Sequence, residues 1–155
     1  MTLVVYVGGA RSGKSTLALE RAKAEGVPVT FIATGQAGDE EMAERIARHR
    51  AERPADWTTV EEPVELQRAL SALPAGDTAI VDCLSLWIAN GGDGAVPAPR
   101  DGLTIAVTNE VGLGIVPVNA LARAYRDDLG RVNASWVAAA DEAYFVVAGR
   151  MLRLS

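Results

Sequence analysis

The chain has a single cysteine, Cys83, and a single histidine, His49. One cysteine excludes an intrachain disulfide and suits a reducing compartment. Basic residues are the minority: 15 Lys and Arg stand against 20 Asp and Glu, a formal charge of -5. That balance lacks the electrostatic footprint of a nucleic-acid binder, so no nucleic-acid partner is expected. Any phosphate ligand would need a local basic site. No apolar run approaches the ~20 residues of a membrane-spanning helix. The start, MTLVVYVGGARSGKS, has no basic n-region and soon meets glycines, so it reads as a strand rather than a signal peptide. These absences lead to the expectation of a cytoplasmic protein without a membrane span. The 155 residues, 49% hydrophobic and 23% charged, suit one domain, 1–155, with a sheet between helices.

What is present alternates. Apolar runs at Thr2 to Val7, Val29 to Ala33, Thr78 to Val81, Leu103 to Thr108 and Glu142 to Ala148 predict strands, with shorter ones at Trp57 to Glu61 and Met151 to Leu154. Helices are expected over Lys14 to Glu25, Asp39 to Arg53, Val64 to Leu73 and Asn119 to Ala140, the last with a break at Gly130. Leu84 to Asn90 reads as a turn or two of helix. Asp39 is the N-cap of the second helix, with acidic residues in its first turn to complement the dipole. Gly91 to Gly102, GGDGAVPAPRDG, is too rich in glycine and proline for anything but coil. Strands alternating with helices imply an α/β fold around a mostly parallel sheet.

The chemistry begins at Gly8-Gly9-Ala10-Arg11-Ser12-Gly13-Lys14-Ser15, which satisfies GxxxxGK[ST] in full. A loop that wraps anionic oxygens must turn its N–H groups inward, and glycine permits the φ values and close approach this needs. The helix behind it adds a partial positive charge, Lys14 reaches the outer phosphates, and the Ser15 hydroxyl can hold Mg2+. Lys14 is expected to be a solvated charge that contributes nothing to a core. Asp82 ends a strand, where sheet ligands gather, and there it would bind Mg2+ directly or through water. Its bland alternative is an N-cap for the helix near Leu84. His49 shares a helical face with Met42 and Ile46, close to Arg53, among Arg45, Arg48 and Arg50. It is a candidate nucleophile or a solvated surface residue, and the arginines could equally pair with Glu40, Glu41, Glu44 and Glu52.

The segments GGARSGKS, FIATGQ, DEEMAERIARHRAERP, WTTVEEP, VDCLSLW and TNEVGLGIVPVNALAR together resemble one family. It is the bifunctional adenosylcobinamide kinase and adenosylcobinamide-phosphate guanylyltransferase family of cobalamin biosynthesis. The likeness covers nearly the whole chain, through GRVNASWVAAADEAYFVVAGRMLRL. It implies a P-loop NTPase with a RecA-like sheet that uses ATP or GTP to phosphorylate adenosylcobinamide. It also implies a second step, transfer of GMP from GTP to the new phosphate through a GMP-histidine. The family's histidine falls on His49. Its nucleotide contacts fall on Gly8 to Ser15, on Ala33, Thr34 and Gly35, on Arg50, Ala51, Glu52 and Arg53, and on Glu61 and Asp82. A carboxylate suits guanine because it accepts from both N1–H and N2–H; whether Glu61 or Asp82 does so stays open. The resemblance further implies a homo-oligomer, a trimer.

One departure stands out. The family carries a helix between VDCLSLW and the strand before NEVG, whereas this chain has the coil Gly91 to Gly102. The expected consequence is impaired handling of the corrinoid, with nucleotide binding spared. A kinase that has lost guanylyl transfer, and a nucleotide-binding module without turnover, are the alternatives.

Overall fold

A computed structural model describes residues 2–154. Seven strands form one sheet: β1 (Thr2–Gly8), β2 (Val29–Ala33), β3 (Thr58–Glu61), β4 (Thr78–Asp82), β5 (Leu103–Asn109), β6 (Glu142–Val147) and β7 (Arg150–Arg153). Their order is β3-β2-β4-β5-β1-β6-β7, all parallel except β7, which runs antiparallel to β6. The helices are α1 (Lys14–Glu25), α2 (Glu40–Ala51), α3 (Leu66–Ser71), α4 (Leu84–Ala89) and α5 (Ala120–Ala139).

The continuous apolar runs become strands because the sheet is covered on both faces, and successive side chains enter opposite cores. Val4, Tyr6, Phe31, Ile80, Ile105 and Val107 pack against Ala18, Leu19 and Ala22 of α1. Leu3, Val5, Ile32, Val81 and Ala106 face the other way, onto Leu66 and Leu70 of α3, Leu84 and Trp87 of α4, and Trp136 of α5. Trp87 and Trp136 meet edge to face at 6.1 Å between centroids. Truncating either to Ala would cost about 3–5 kcal/mol.

Helix α2 buries no residue in either core. It stands beyond the ends of the strands, started by Asp39, whose carboxylate accepts from Met42 N at 2.7 Å. Helix α5 runs without the expected break. Gly130 faces solvent, and its cost of about 1 kcal/mol relative to Ala is outweighed by burial of Leu129, Asn133 and Trp136 on the same helix. Helix α3 is shorter than expected because Glu62 Oε1 accepts from Val64 N and Glu65 N, holding that stretch as a turn.

The stretch Gly91 to Gly102 is coil, as read, but α4 supplies a helix to the connection between β4 and β5. The coil is tightly held. Gly92 lies so close to the Trp87 indole that a Cβ would sit 2.4 Å from Nε1. Trp136 Nε1 donates to Gly94 O at 3.3 Å, Gln67 Nε2 to Ala95 O at 2.9 Å, and Arg100 Nη2 to Asp77 O at 2.8 Å.

Candidate active site

Parallel strands bring Gly8, Ala33, Glu61, Asp82 and Asn109 to one end of the sheet, Gly8 level with Asn109 and Ala33 level with both Asp82 and Glu61. A cavity of about 470 Å³ opens there, between the loop after β1 and the inner face of α2. A second cavity, of about 500 Å³, lies at the opposite end beside Lys23, Val29 and Trp57, away from the phosphate-loop motif.

The loop Gly8 to Ser15 has the shape the motif demands. Gly13 takes a left-handed φ of 97° to enter α1, whose first turn carries no acidic residue and no side-chain cap. Its first N–H groups are therefore available to an anion. The turn between β6 and β7 braces the loop: Gly149 N donates to Ser12 O at 2.7 Å. The Ser12 hydroxyl is buried with no hydrogen-bond partner, a donor without an acceptor in a loop suited to phosphate.

Lys14 is not the solvated charge expected from the motif. It is only 8% exposed, and Nζ donates to Gly9 O at 2.9 Å. Burial lowers its pKa, against the pull of Cys83 and Asp82. An ammonium folded onto a carbonyl of its own loop is positioned to exchange that acceptor for a phosphate oxygen.

Asp82 is not an N-cap. The cap position of α4 is Cys83, without a side-chain hydrogen bond, and the Asp82 carboxylate instead accepts from Ser15 Oγ at 3.2 Å. Burial raises the pKa of Asp82 above the usual carboxylate value. His49, the Ser15 hydrogen bond, Lys14 and Arg53 oppose that rise without cancelling it. A carboxylate that burial disfavours beside a serine hydroxyl fits a divalent cation, which would restore the charged form. Among the described residues no three His, Cys, Asp or Glu side chains cluster, so Mg2+ would draw its remaining oxygens from phosphates and water.

Helix α2 presents Met42, Ile46 and His49 to the cavity, with Arg45 and Arg48, and the turn that follows it adds Glu52 and Arg53 beside the face inferred from spacing. No ion pair joins the arginines and glutamates of α2 among the described residues; Arg50 instead pairs with Glu61 at 3.5 Å. Arg53 is held by three contacts. Its guanidinium lies 3.9 Å above the Phe31 ring, Nη1 donates to Thr59 Oγ1 at 3.1 Å, and Nε donates to His49 O at 3.2 Å.

Of the sequence-derived candidates, Ala10 to Ser15, Ala33, Gly35, His49, Glu52, Arg53 and Asp82 line the cavity. Gly8 and Gly9 form the base of the loop. Arg50, Ala51 and Glu61 lie outside the lining and are exposed. Thr34 is fully buried, with its hydroxyl committed to Cys83: it donates to the carbonyl at 2.7 Å and accepts from the amide at 2.8 Å. Sequence reading missed the cavity contributions of Phe31, Leu86 and Asn109. The end-of-strand position of Asn109, like that of Asp82, was the available signal.

Fold and cavity together define a P-loop nucleotide-binding α/β protein. A family model described as cobinamide kinase / cobinamide phosphate guanyltransferase matches residues 3–96 and 94–154, and the chain belongs to that family. The two matched segments meet inside the coil between α4 and β5. The chain is 44% identical over 160 residues to the bifunctional adenosylcobalamin biosynthesis protein CobP of Pseudomonas aeruginosa, covering 94% of this chain and 92% of that protein. It is 38% identical over 175 residues to the bifunctional adenosylcobalamin biosynthesis protein CobU of Escherichia coli, covering 95% and 96%. No helix of the described residues is long and apolar enough to cross a membrane.

Proposed function

We propose that this chain is a single-domain, two-step transferase. In the first step ATP or GTP phosphorylates the aminopropanol hydroxyl of adenosylcobinamide. In the second, a nitrogen of His49 attacks the α-phosphorus of GTP, the bond to pyrophosphate breaks, and pyrophosphate leaves. An oxygen of adenosylcobinamide phosphate then attacks the phosphorus of GMP-His49, releasing the imidazole and giving adenosylcobinamide-GDP. The observation that carries this reading is the single cavity of about 470 Å³ shared by the phosphate loop and the His49 face of α2.

The residues divide the work by position. Gly8 to Ser15 cradle the phosphates, with Lys14 reaching the outer ones. Ser15 and Asp82 would hold Mg2+, which when bound offsets negative charge on the phosphates. The neutral form of an imidazole offers a nitrogen lone pair for the attack, and Arg45, Arg48 and Arg53 line the cavity with His49 to compensate charge developing on the phosphoryl oxygens. Ala33 and Gly35 border the nucleotide, while Thr34 fixes the backbone after Asp82. With Asp82 engaged by Ser15, Glu61 is the carboxylate left for guanine; Arg50, its ion-pair partner, and the neighbouring Ala51 and Glu52 complete that rim.

The protein would act in the cytoplasm, as a homo-oligomer, by resemblance a trimer. Assembly would cover Ile115 and Val118, which are 97% and 99% exposed on the single chain. The test is incubation with GTP labelled at the α-phosphorus. The expected result is an acid-labile, alkali-stable label on His49, absent from His49→Ala, which still phosphorylates adenosylcobinamide. Acid-stable label, or label persisting in the variant, would move the nucleophile elsewhere.

A further inference from the structure

The strand β5 lies between the phosphate-loop strand β1 and the Asp82 strand β4, and it ends at Asn109. Asn109 stands level with Gly8 and lines the same cavity as Lys14 and Asp82. Its main chain is fixed from two sides. The amide donates to Ser85 Oγ of α4 at 2.9 Å, and the carbonyl accepts from Asn133 Nδ2 of α5 at 2.9 Å. Asn133 Oδ1 accepts in turn from Thr108 Oγ1 at 2.6 Å, and Tyr125 OH donates to Ser85 O at 3.0 Å. Ser85, Thr108 and Asn133 are all buried. A satisfied buried network of this kind rigidifies the backbone it holds. The Asn109 carboxamide has no hydrogen bond to protein among the described residues, so a firmly held backbone presents a free donor and acceptor to the cavity.

We propose that Asn109 is a catalytic residue of the phosphoryl-transfer step alone: its carboxamide orients the acceptor hydroxyl against the terminal phosphate of the nucleotide. This rests on the two-step reading above. In that step the hydroxyl oxygen bonds to the γ-phosphorus, the bridging O–P bond breaks, and the nucleoside diphosphate leaves with the electron pair. The hydroxyl proton passes to water. Asn109 exchanges no proton; it accepts from the hydroxyl or donates to a phosphoryl oxygen, holding the pair in line. Its neutrality suits the place, since a carboxylate there would repel the phosphates. His49 belongs to α2, which follows β2, on the far side of β4 from Asn109. Guanylylation of His49 is expected to proceed without the carboxamide, although both residues line one cavity.

The experiment compares wild type, Asn109→Ala and Asn109→Asp in three measurements: phosphorylation of adenosylcobinamide by ATP, self-labelling by α-labelled GTP, and thermal unfolding. Asn109→Ala leaves the backbone clamp intact and is expected to unfold like wild type. Its kinase kcat should fall about 100-fold, the scale for losing one polar group aimed at a transition state. Its KM for ATP should change only a few-fold and self-labelling should persist; Asn109→Asp should lose more kcat than Asn109→Ala. An unchanged kinase kcat overturns the assignment, and so does a parallel fall in both activities, which would mark a structural role. A wild-type protein that neither phosphorylates adenosylcobinamide nor self-labels overturns the two-step reading, and this inference with it. An active wild type with an equally active Asn109→Ala overturns this inference alone.

Discussion

Replacing Asp82 by Asn should make the free protein more stable and the nucleotide-bound protein less so. The carboxylate pays for its position: burial raises its pKa although His49, Ser15, Lys14 and Arg53 all favour the charged form. A carboxyl with a raised pKa binds protons more readily in the folded than in the unfolded chain, so its ionisation erodes stability. Each tenfold of that difference in proton affinity is about 1.4 kcal/mol. Asparagine keeps the shape and an oxygen to accept from Ser15 Oγ, and removes the charge. The sign with pH follows. Below the ordinary carboxylate value of 3.8 both states of the wild type are protonated and the variant has no electrostatic advantage. The advantage grows as pH rises from there and is complete above the raised folded value. With Mg2+ and nucleotide the order should reverse. A ligand at 100 times its Kd stabilises the wild type by about 2.7 kcal/mol, and a variant that no longer holds the cation loses most of that. For a chain of this size 1 kcal/mol moves Tm by about 2–4 °C, so thermal unfolding with and without Mg2+-GTP across pH resolves both effects. A free variant less stable than wild type at neutral pH, or a gap that does not change with pH, would refute the reasoning.

Lys14→Ala should abolish nucleotide-dependent turnover while the fold persists, checked by GTP affinity and unfolding; unchanged affinity and turnover would remove the phosphate-cradle assignment. Because Lys14 is buried with a lowered pKa, its charge costs stability at neutral pH, a cost relieved as pH rises past the folded value toward 10.5. Lys14→Met, which refills the space, should therefore be at least as stable as wild type and as inactive as Lys14→Ala. Grafting the family's full-length helical connection in place of Gly91 to Gly102 should leave self-labelling unchanged and lower the KM for adenosylcobinamide phosphate. Unaffected corrinoid turnover after the graft would show that the short connection is not what limits it.

The strands were legible because a two-faced parallel sheet demands unbroken apolar runs, and Leu3 to Val7 or Ile80 to Val81 can hardly be anything else. The phosphate loop was legible because all its constraints lie within eight consecutive residues, Gly8 to Ser15. Strand order was not, since it depends on which distant runs pair. The insertion of β5 between β1 and β4 cannot be read from either strand's own residues. Burial of Lys14 escaped for a related reason: the motif gives its chemistry, but its neighbours Asp82 and Cys83 come from the end of β4, far away in sequence. The role of Arg53 was half visible. Spacing put it near the His49 face, while its seat above Phe31 and its bond to Thr59 join the turn after α2 to β2 and β3.

The connection between α4 and β5 is expected to bear on corrinoid handling more than on nucleotide binding because of where it is held. Its fixed points are Trp87, Gln67, Trp136 and the carbonyls gathered by Arg100, among them Asp77 O and Leu103 O. Asp77 and Leu103 stand at the starts of β4 and β5, the end of the sheet opposite the cavity. The two tryptophans and Gln67 belong to the helices on the face that α1 does not cover. None of these fixed points is among the residues that line the cavity. If relatives carry a helix there, as the resemblance implies, its loss would remove surface from the α3, α4 and α5 side, while the strand ends keep their register, Gly8 with Asn109 and Ala33 with Asp82. A nucleotide is small enough to be held by those strand ends and the two elements above them. A corrinoid is many times larger and must rest on what lies around the cavity, so we expect the shortened connection to weaken use of the corrinoid while nucleotide binding is kept; unchanged corrinoid turnover after the graft would refute this.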